Sequence, residues 1–168
     1  SGKSSRRFRK MEGLLELAAS YDGDVPVVSF PSGRSLRGDD PAIHQALSEH
    51  VGRPVTLGRE AEVSHFDDGP VHLVTTSSLR AVGERLGEEV DPRRFRPNLV
   101  VDTGDLDGLV EDSWVGQRLR VGDVVLEVTD RMPRCVMVNL PQVGLGPTRV
   151  LDAVTDLNDA NLGVLATV

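Results

Sequence analysis

Short apolar or β-branched runs separated by Gly, Pro and Asp turns dominate the pattern of this chain. Leu14 to Tyr21 and Val25 to Phe30 are two such runs joined by Asp22-Gly23-Asp24, which predicts a hairpin. Pro54 to Leu57, Pro70 to Thr76, Leu99 to Asp102, and Leu119 to Val128 broken at Gly122-Asp123 read as further strands, with Cys135 on the next one and Gly163 to Val168 as the last. Helical spacing is rarer. Asp40 can cap and Pro41 can open a helix on which Ile43, Leu47 and Val51 share a face before Gly52. Thr75-Thr76-Ser77-Ser78 supplies cap hydroxyls for a second helix, with Leu79, Val82 and Leu86 on one face and Gly87 at its end. Val150 to Leu157 reads as a third, after a Pro/Gly loop from Pro141 to Thr148. The expected fold is mainly β with a few short helices (α+β): a β-barrel, or a strongly twisted sheet closing on itself.

Composition narrows the class. At 168 residues and 39% apolar content the chain suits one packed, globular domain. A net charge of -7 argues against wrapping nucleic acid. A single cysteine excludes an internal disulfide framework and suits a reducing compartment, and no apolar run approaches the length of a membrane span. The expected address is cytoplasmic, with no membrane partner. Five of the 19 basic residues (Lys3, Arg6, Arg7, Arg9 and Lys10) crowd the first ten positions, where no acidic residue lies. That tract could grip an anionic small molecule, or be a solvated basic end. It runs from Ser1 straight toward the first strand, so a native segment upstream is expected.

The candidate chemistry sits in two places. Cys135, in Met132-Pro133-Arg134-Cys135-Val136-Met137-Val138-Asn139, is the chain's one soft ligand or nucleophile, and a guanidinium next to a thiol favours the thiolate. It could equally be a small buried hydrophobe. In Arg93-Arg94-Phe95-Arg96-Pro97-Asn98, Arg96 offers a planar donor fork suited to phosphate, and Asn98 a paired donor and acceptor suited to a heterocycle edge. Asp67 and Asp68, in the loop His65-Phe66-Asp67-Asp68-Gly69, could accept from amine groups or be a polar loop. His65 and His72 are too loosely spaced for a zinc site, and His44 and His50 read as surface or packed histidines. Asp102, Asp105, Asp107 and Gly108 hint at a calcium loop, but Trp114 holds the late bidentate position, so calcium is rejected.

Taken in order, Phe66-Asp67, Thr76 to Leu79, Arg94 to Val100, Glu111-Asp112-Ser113-Trp114, Val121-Gly122-Asp123, Arg134-Cys135 and Leu162-Gly163-Val164 resemble the MOSC family, named for the C-terminal domain of molybdenum cofactor sulfurase. Residues 61–168 resemble the MOSC domain, expected to be incomplete at its C-terminal end, and residues 1–60 part of its companion N-terminal β-barrel-like segment. The resemblance implies a MOSC-type β-barrel that binds the molybdenum cofactor, a pterin dithiolene bearing a phosphate. By similarity to amidoxime-reducing members, Cys135 is the molybdenum ligand and catalytic residue. The same resemblance implies that Arg96 and Asn98 hold pterin and phosphate, that Asp67 and Asp68 contact the pterin, and that Lys3 helps neutralise the phosphate. Arg134 supports the thiolate or pairs with a carboxylate such as Glu111.

The resemblance implies an oxidoreductase that reduces N-hydroxylated or other N-oxygenated small-molecule substrates. With no cysteine left for an iron–sulfur cluster, a separate redox protein is the implied electron donor. Two alternatives stand beside it: a sulfur carrier with a persulfide on Cys135, and a non-catalytic molybdenum cofactor carrier. Pyridoxal phosphate is not expected here.

Overall fold

The computed structural model describes residues 11–60, 62 and 68–168. Lys3, His65, Phe66 and Asp67, with the rest of the basic tract, lie outside the described residues. Contacts divide the chain into two units, Ser1–His65 with Pro141–Pro147, and Phe66–Leu140 with Thr148–Val168.

In the first unit, β1 (Ala18–Asp22), β2 (Val25–Ser29) and β3 (Ser35–Arg37) form an antiparallel sheet in that order. The predicted hairpin is present: Asp22 pairs with Val25 across a turn in which Gly23 takes a positive φ. Its first strand starts later than predicted, because Leu14–Glu16 winds into a 3-10 turn. Helix α1 (Ala42–Val51) begins where Asp40 Oδ1 accepts the Ala42 N–H at 2.8 Å, and it ends at Gly52 in the left-handed region. Ile43, Ala46 and Leu47 pack with Val28 and Phe30. The predicted strand from Pro54 to Leu57 is absent. Pro54 has no N–H to give a ladder, and its neighbours bond α1 side chains instead: Val55 N–H to Ser48 Oγ at 3.0 Å and Leu57 N–H to His44 Nδ1 at 3.2 Å.

The second unit is built on a five-stranded sheet that curls as a half-barrel, in the order β5 (Leu99–Val101), β4 (Val71–Thr75), β8 (Asn161–Thr167), β7 (Val124–Pro133), β6 (Arg118–Val121). Strands β4 and β5 are parallel and joined through α2 (Thr76–Leu86); the other neighbours are antiparallel. Strand β8 is central and apolar from Leu162 to Ala166, as expected of a strand covered on both faces. One face packs Leu73, Val164, Leu126 and Val128; the other meets α2 and α3 (Val150–Asn158) through Val74, Val82, Val150, Val154 and Leu162. Thr75 caps α2, its Oγ1 accepting the Ser78 N–H at 3.1 Å. The mainly β, α+β character is therefore as the sequence predicts. No helix among the described residues is long and apolar enough to cross a membrane.

Candidate functional site

Cys135 is not on a strand. Strand β7 stops at Pro133, and Val136–Asn139 closes into a 3-10 turn, leaving Cys135 extended between them. The turn is tied to α3, because Asn139 Oδ1 accepts the Leu151 N–H at 2.8 Å and Asn139 O accepts the Thr148 N–H at 3.1 Å. Only Val138 of the apolar run is buried. The thiol is free and exposed, so the packing role open to a cysteine here is set aside.

Arg134 points the other way, into the protein. Its Nε and Nη2 donate to Leu162 O at 2.9 and 2.6 Å, Nη1 donates to Phe95 O at 3.2 Å, and Nη2 also bonds His72 Nε2. The guanidinium carbon stacks 5.3 Å from the Phe95 ring centre. Burial pushes this group down to about 10, while attraction to Cys135 and Glu111 pulls it back up, so it is a cation at neutral pH. A pairing with Glu111, one of the two roles expected of Arg134, is not made directly. Glu111, fully buried, spends Oε2 on the Thr75 and Ser78 hydroxyls, each at 2.6 Å, and Oε1 has no partner among the described residues.

His72, which the sequence offers only as half of too loose a histidine pair, sits at the centre of this network. An arginine has only donors, so His72 Nε2 must accept, which fixes the neutral Nδ1–H tautomer. Burial first, then the Arg134 charge, push its imidazole down to about 4, against hydrogen bonding to the Arg96 and Leu162 backbone. The signal available in the sequence was a lone imidazole inside Val71-His72-Leu73-Val74. A second signal was Gly163 in a strand, which marks a close backbone approach. Gly163 has φ +80°, and a Cβ there would run into Leu73 O and the His72 ring.

The predicted anion-binding turn meets this network through its backbone. Asp91 Oδ1 accepts the Arg93 N–H at 2.8 Å and opens the 3-10 turn Pro92–Phe95, which ends at Arg96 in the left-handed region with φ 52°. Arg93 is held by Asp91, whereas Arg96 is exposed and lines an open depression of about 480 Å³ with Pro92, Arg93, Pro97 and Val100. Asn98 spends one half of its amide on structure: its Oδ1 accepts the His72 N–H and its own N–H donates to His72 O, both at 2.8 Å. Asp68 stands apart in a cleft of about 400 Å³ with Asp130, Arg131, Pro133, Asn161 and Leu165. Around His72 the structure thus brings together Arg134, which precedes Cys135, Phe95 O, which precedes Arg96, and Asn98. Lys3 and Asp67 lie outside the described residues.

The donor set fits a soft metal held on a phosphorylated organic ligand. An exposed thiol could supply the soft ligand, and the exposed Arg96 could meet a phosphate. Among the described residues no group of His, Cys, Asp and Glu could hold a metal ion by itself, so a metal here would need ligands from elsewhere.

Residues 40–161 match the family model described as the MOSC domain. The chain belongs to the MOSC family. This MOSC chain is similar to the molybdenum cofactor sulfurase of Oryza sativa subsp. japonica, 26% identical over 169 residues, covering 82% of this chain and 20% of that protein. It is similar to the mitochondrial amidoxime reducing component 2 of Rattus norvegicus, 35% identical over 85 residues, 50% of this chain and 24% of that protein. It also resembles the molybdenum cofactor sulfurase of Drosophila grimshawi, 37% identical over 87 residues, 51% of this chain and 10% of that protein. The chain spans about a quarter or less of the length of these relatives. Both kinds of relative support a function related to the molybdenum cofactor. His72, Arg96, Asn98, Arg134 and Cys135 all fall inside the MOSC match; Lys3 does not.

Proposed function

We propose that this MOSC protein binds the molybdenum cofactor and reduces N-hydroxylated or other N-oxygenated small molecules, with Cys135 as the molybdenum ligand. Arg96 and Asn98 hold the phosphate and pterin, assisted by Asp67, Asp68 and Lys3, while Arg134 acts from inside the protein. Residues 61–168 act as the MOSC domain and residues 1–60 as part of a companion β-barrel-like segment, in a cytoplasmic protein. The observation that carries the reading is the exposed Cys135 thiol, joined through Arg134 and His72 to the Arg96–Asn98 turn. The bound cofactor would supply two-electron chemistry at a metal. Converting N–OH to N–H consumes two electrons and two protons and releases water, and a separate redox protein provides the electrons. The chain's own residues seat the cofactor: Arg96 neutralises phosphate charge, and the buried Arg134 cation holds the cysteine loop against β8.

The test is molybdenum analysis, with pterin fluorescence after oxidative release, on the full-length protein purified from a host that makes the cofactor. Near-stoichiometric metal and pterin in the wild type, both lost in Cys135→Ala while the protein stays folded, supports the reading. Absence of both, with labile sulfur on Cys135, replaces it with the sulfur-carrier role; bound cofactor without turnover by any donor replaces it with the carrier role.

A further inference from the structure

His72 is buried to 6% exposure, yet it touches both the Arg134–Cys135 segment and the Arg96–Asn98 turn. Its ring meets the Arg134 guanidinium, one residue before Cys135. Its backbone N–H and C=O are both taken by Asn98. We propose that His72 is the positioning residue of this site, its neutral ring accepting from Arg134 while its backbone clasps Asn98, so that the Cys135 loop and the Arg96–Asn98 turn keep one spacing. The inference rests on the reading of those residues as the ones that hold the cofactor.

The physical argument is one of acceptors. Arg134 buries its donors against Leu162 O, Phe95 O and His72 Nε2. A buried guanidinium turns toward whichever acceptors remain when one is removed, because an unmet charged donor is costly. Two of the acceptors are backbone carbonyls, which no side-chain substitution takes away, so His72 is the adjustable one. Without it Arg134 can pivot about Leu162 O, and the pivot acts on Phe95 O and so on Arg96. Gly163 completes the arrangement by leaving room for the ring.

The substitution His72→Phe keeps a ring of similar size and removes the acceptor; His72→Gln restores an acceptor oxygen. In the full-length protein from a cofactor-making host, molybdenum and pterin content is expected to fall at least threefold in His72→Phe and to stay above half in His72→Gln. In cofactor-free protein, hydrogen exchange at Arg134 Nε–H, followed by NMR, is expected to quicken severalfold in His72→Phe and to change little in His72→Gln. Wild-type histidine spectra should show His72 as the Nδ1–H tautomer at neutral pH, a measurement that needs no variant to fold. An Nε2–H tautomer overturns the proposal. So does undiminished cofactor in His72→Phe when Cys135→Ala has lost it, and this outcome leaves the cofactor reading intact. Cofactor retained in Cys135→Ala removes that reading instead, and Arg134 exchange and the tautomer still decide the role of His72.

Discussion

Gly163→Ala tests whether the centre of the site is as tightly closed as the structure has it. The glycine sits in β8 with φ +80°, opposite β4. A Cβ there would come closer to Leu73 O and the His72 ring than real Cβ contacts ever do, and one of those obstacles is backbone. Two costs add. Holding alanine in the left-handed region costs about 1–2 kcal/mol. Forcing a methyl into a closed space with no flexible neighbour to give way costs about 1–3 kcal/mol more. A sum near 3 kcal/mol lowers the melting midpoint of a chain this size by roughly 6–12 °C. Gly122→Ala is the control: its φ of +60° carries the backbone cost, but nothing lies within 4 Å of the added methyl. Thermal denaturation followed by circular dichroism reads both. A midpoint for Gly163→Ala no lower than that of Gly122→Ala would refute the close approach, and with it the packing of His72 on Arg134.

Two other outcomes follow from the same residues. The His72 imidazole has a folded value of about 4 against an ordinary 6.5, so the unfolded chain binds the extra proton first as pH falls. The stabilisation is complete above about pH 6.5 and is lost as pH drops through 4, a loss of about 3 kcal/mol at 1.36 kcal/mol per unit. Urea titrations across that window should show His72→Gln less acid-sensitive than wild type by about this amount, and parallel curves would remove the assignment. At Arg96, φ 52° makes Arg96→Gly more stable than Arg96→Ala by about 1 kcal/mol, although both lose the guanidinium. Equal stability in denaturant would contradict the left-handed turn, and cofactor kept by both would remove Arg96 from the site.

Much of the architecture was legible because local chemistry and tertiary packing agree. Asp40 and Gly52 delimit α1 as their side-chain chemistry predicts, Thr75 caps α2, and Gly122-Asp123 breaks β6 from β7. The failures have one cause. Pro54 to Leu57 reads as a strand in isolation, but its polar backbone is taken by Ser48 and His44, partners contributed by another element. Cys135 reads as strand because Val136, Met137 and Val138 are apolar, yet their backbone closes a turn fastened by Asn139 to α3.

The site divides along the same line. Arg96, Asn98, Arg134 and Cys135 were visible because each side chain has a chemistry that can be named from its type alone. What joins them was hidden. His72 carries no signal as a ligand, since its function lies in accepting from an arginine 62 positions away, and Gly163 matters for the atoms it lacks. Asn98 shows how far type alone misleads. Its amide reads as a heterocycle partner, and half of it is spent clasping β4. That structural bond helps rather than hinders a binding role. An amide anchored at Oδ1 presents its Nδ2 in a fixed direction, and a ligand met by a fixed donor incurs less ordering cost than one met by a free side chain. The exposed Arg96 gains from the same economy, because its backbone is locked between Pro97 and a capped turn before any ligand arrives. A site built this way keeps its chemistry at the surface and its geometry in the core, and the Arg134–His72 contact is where the two meet.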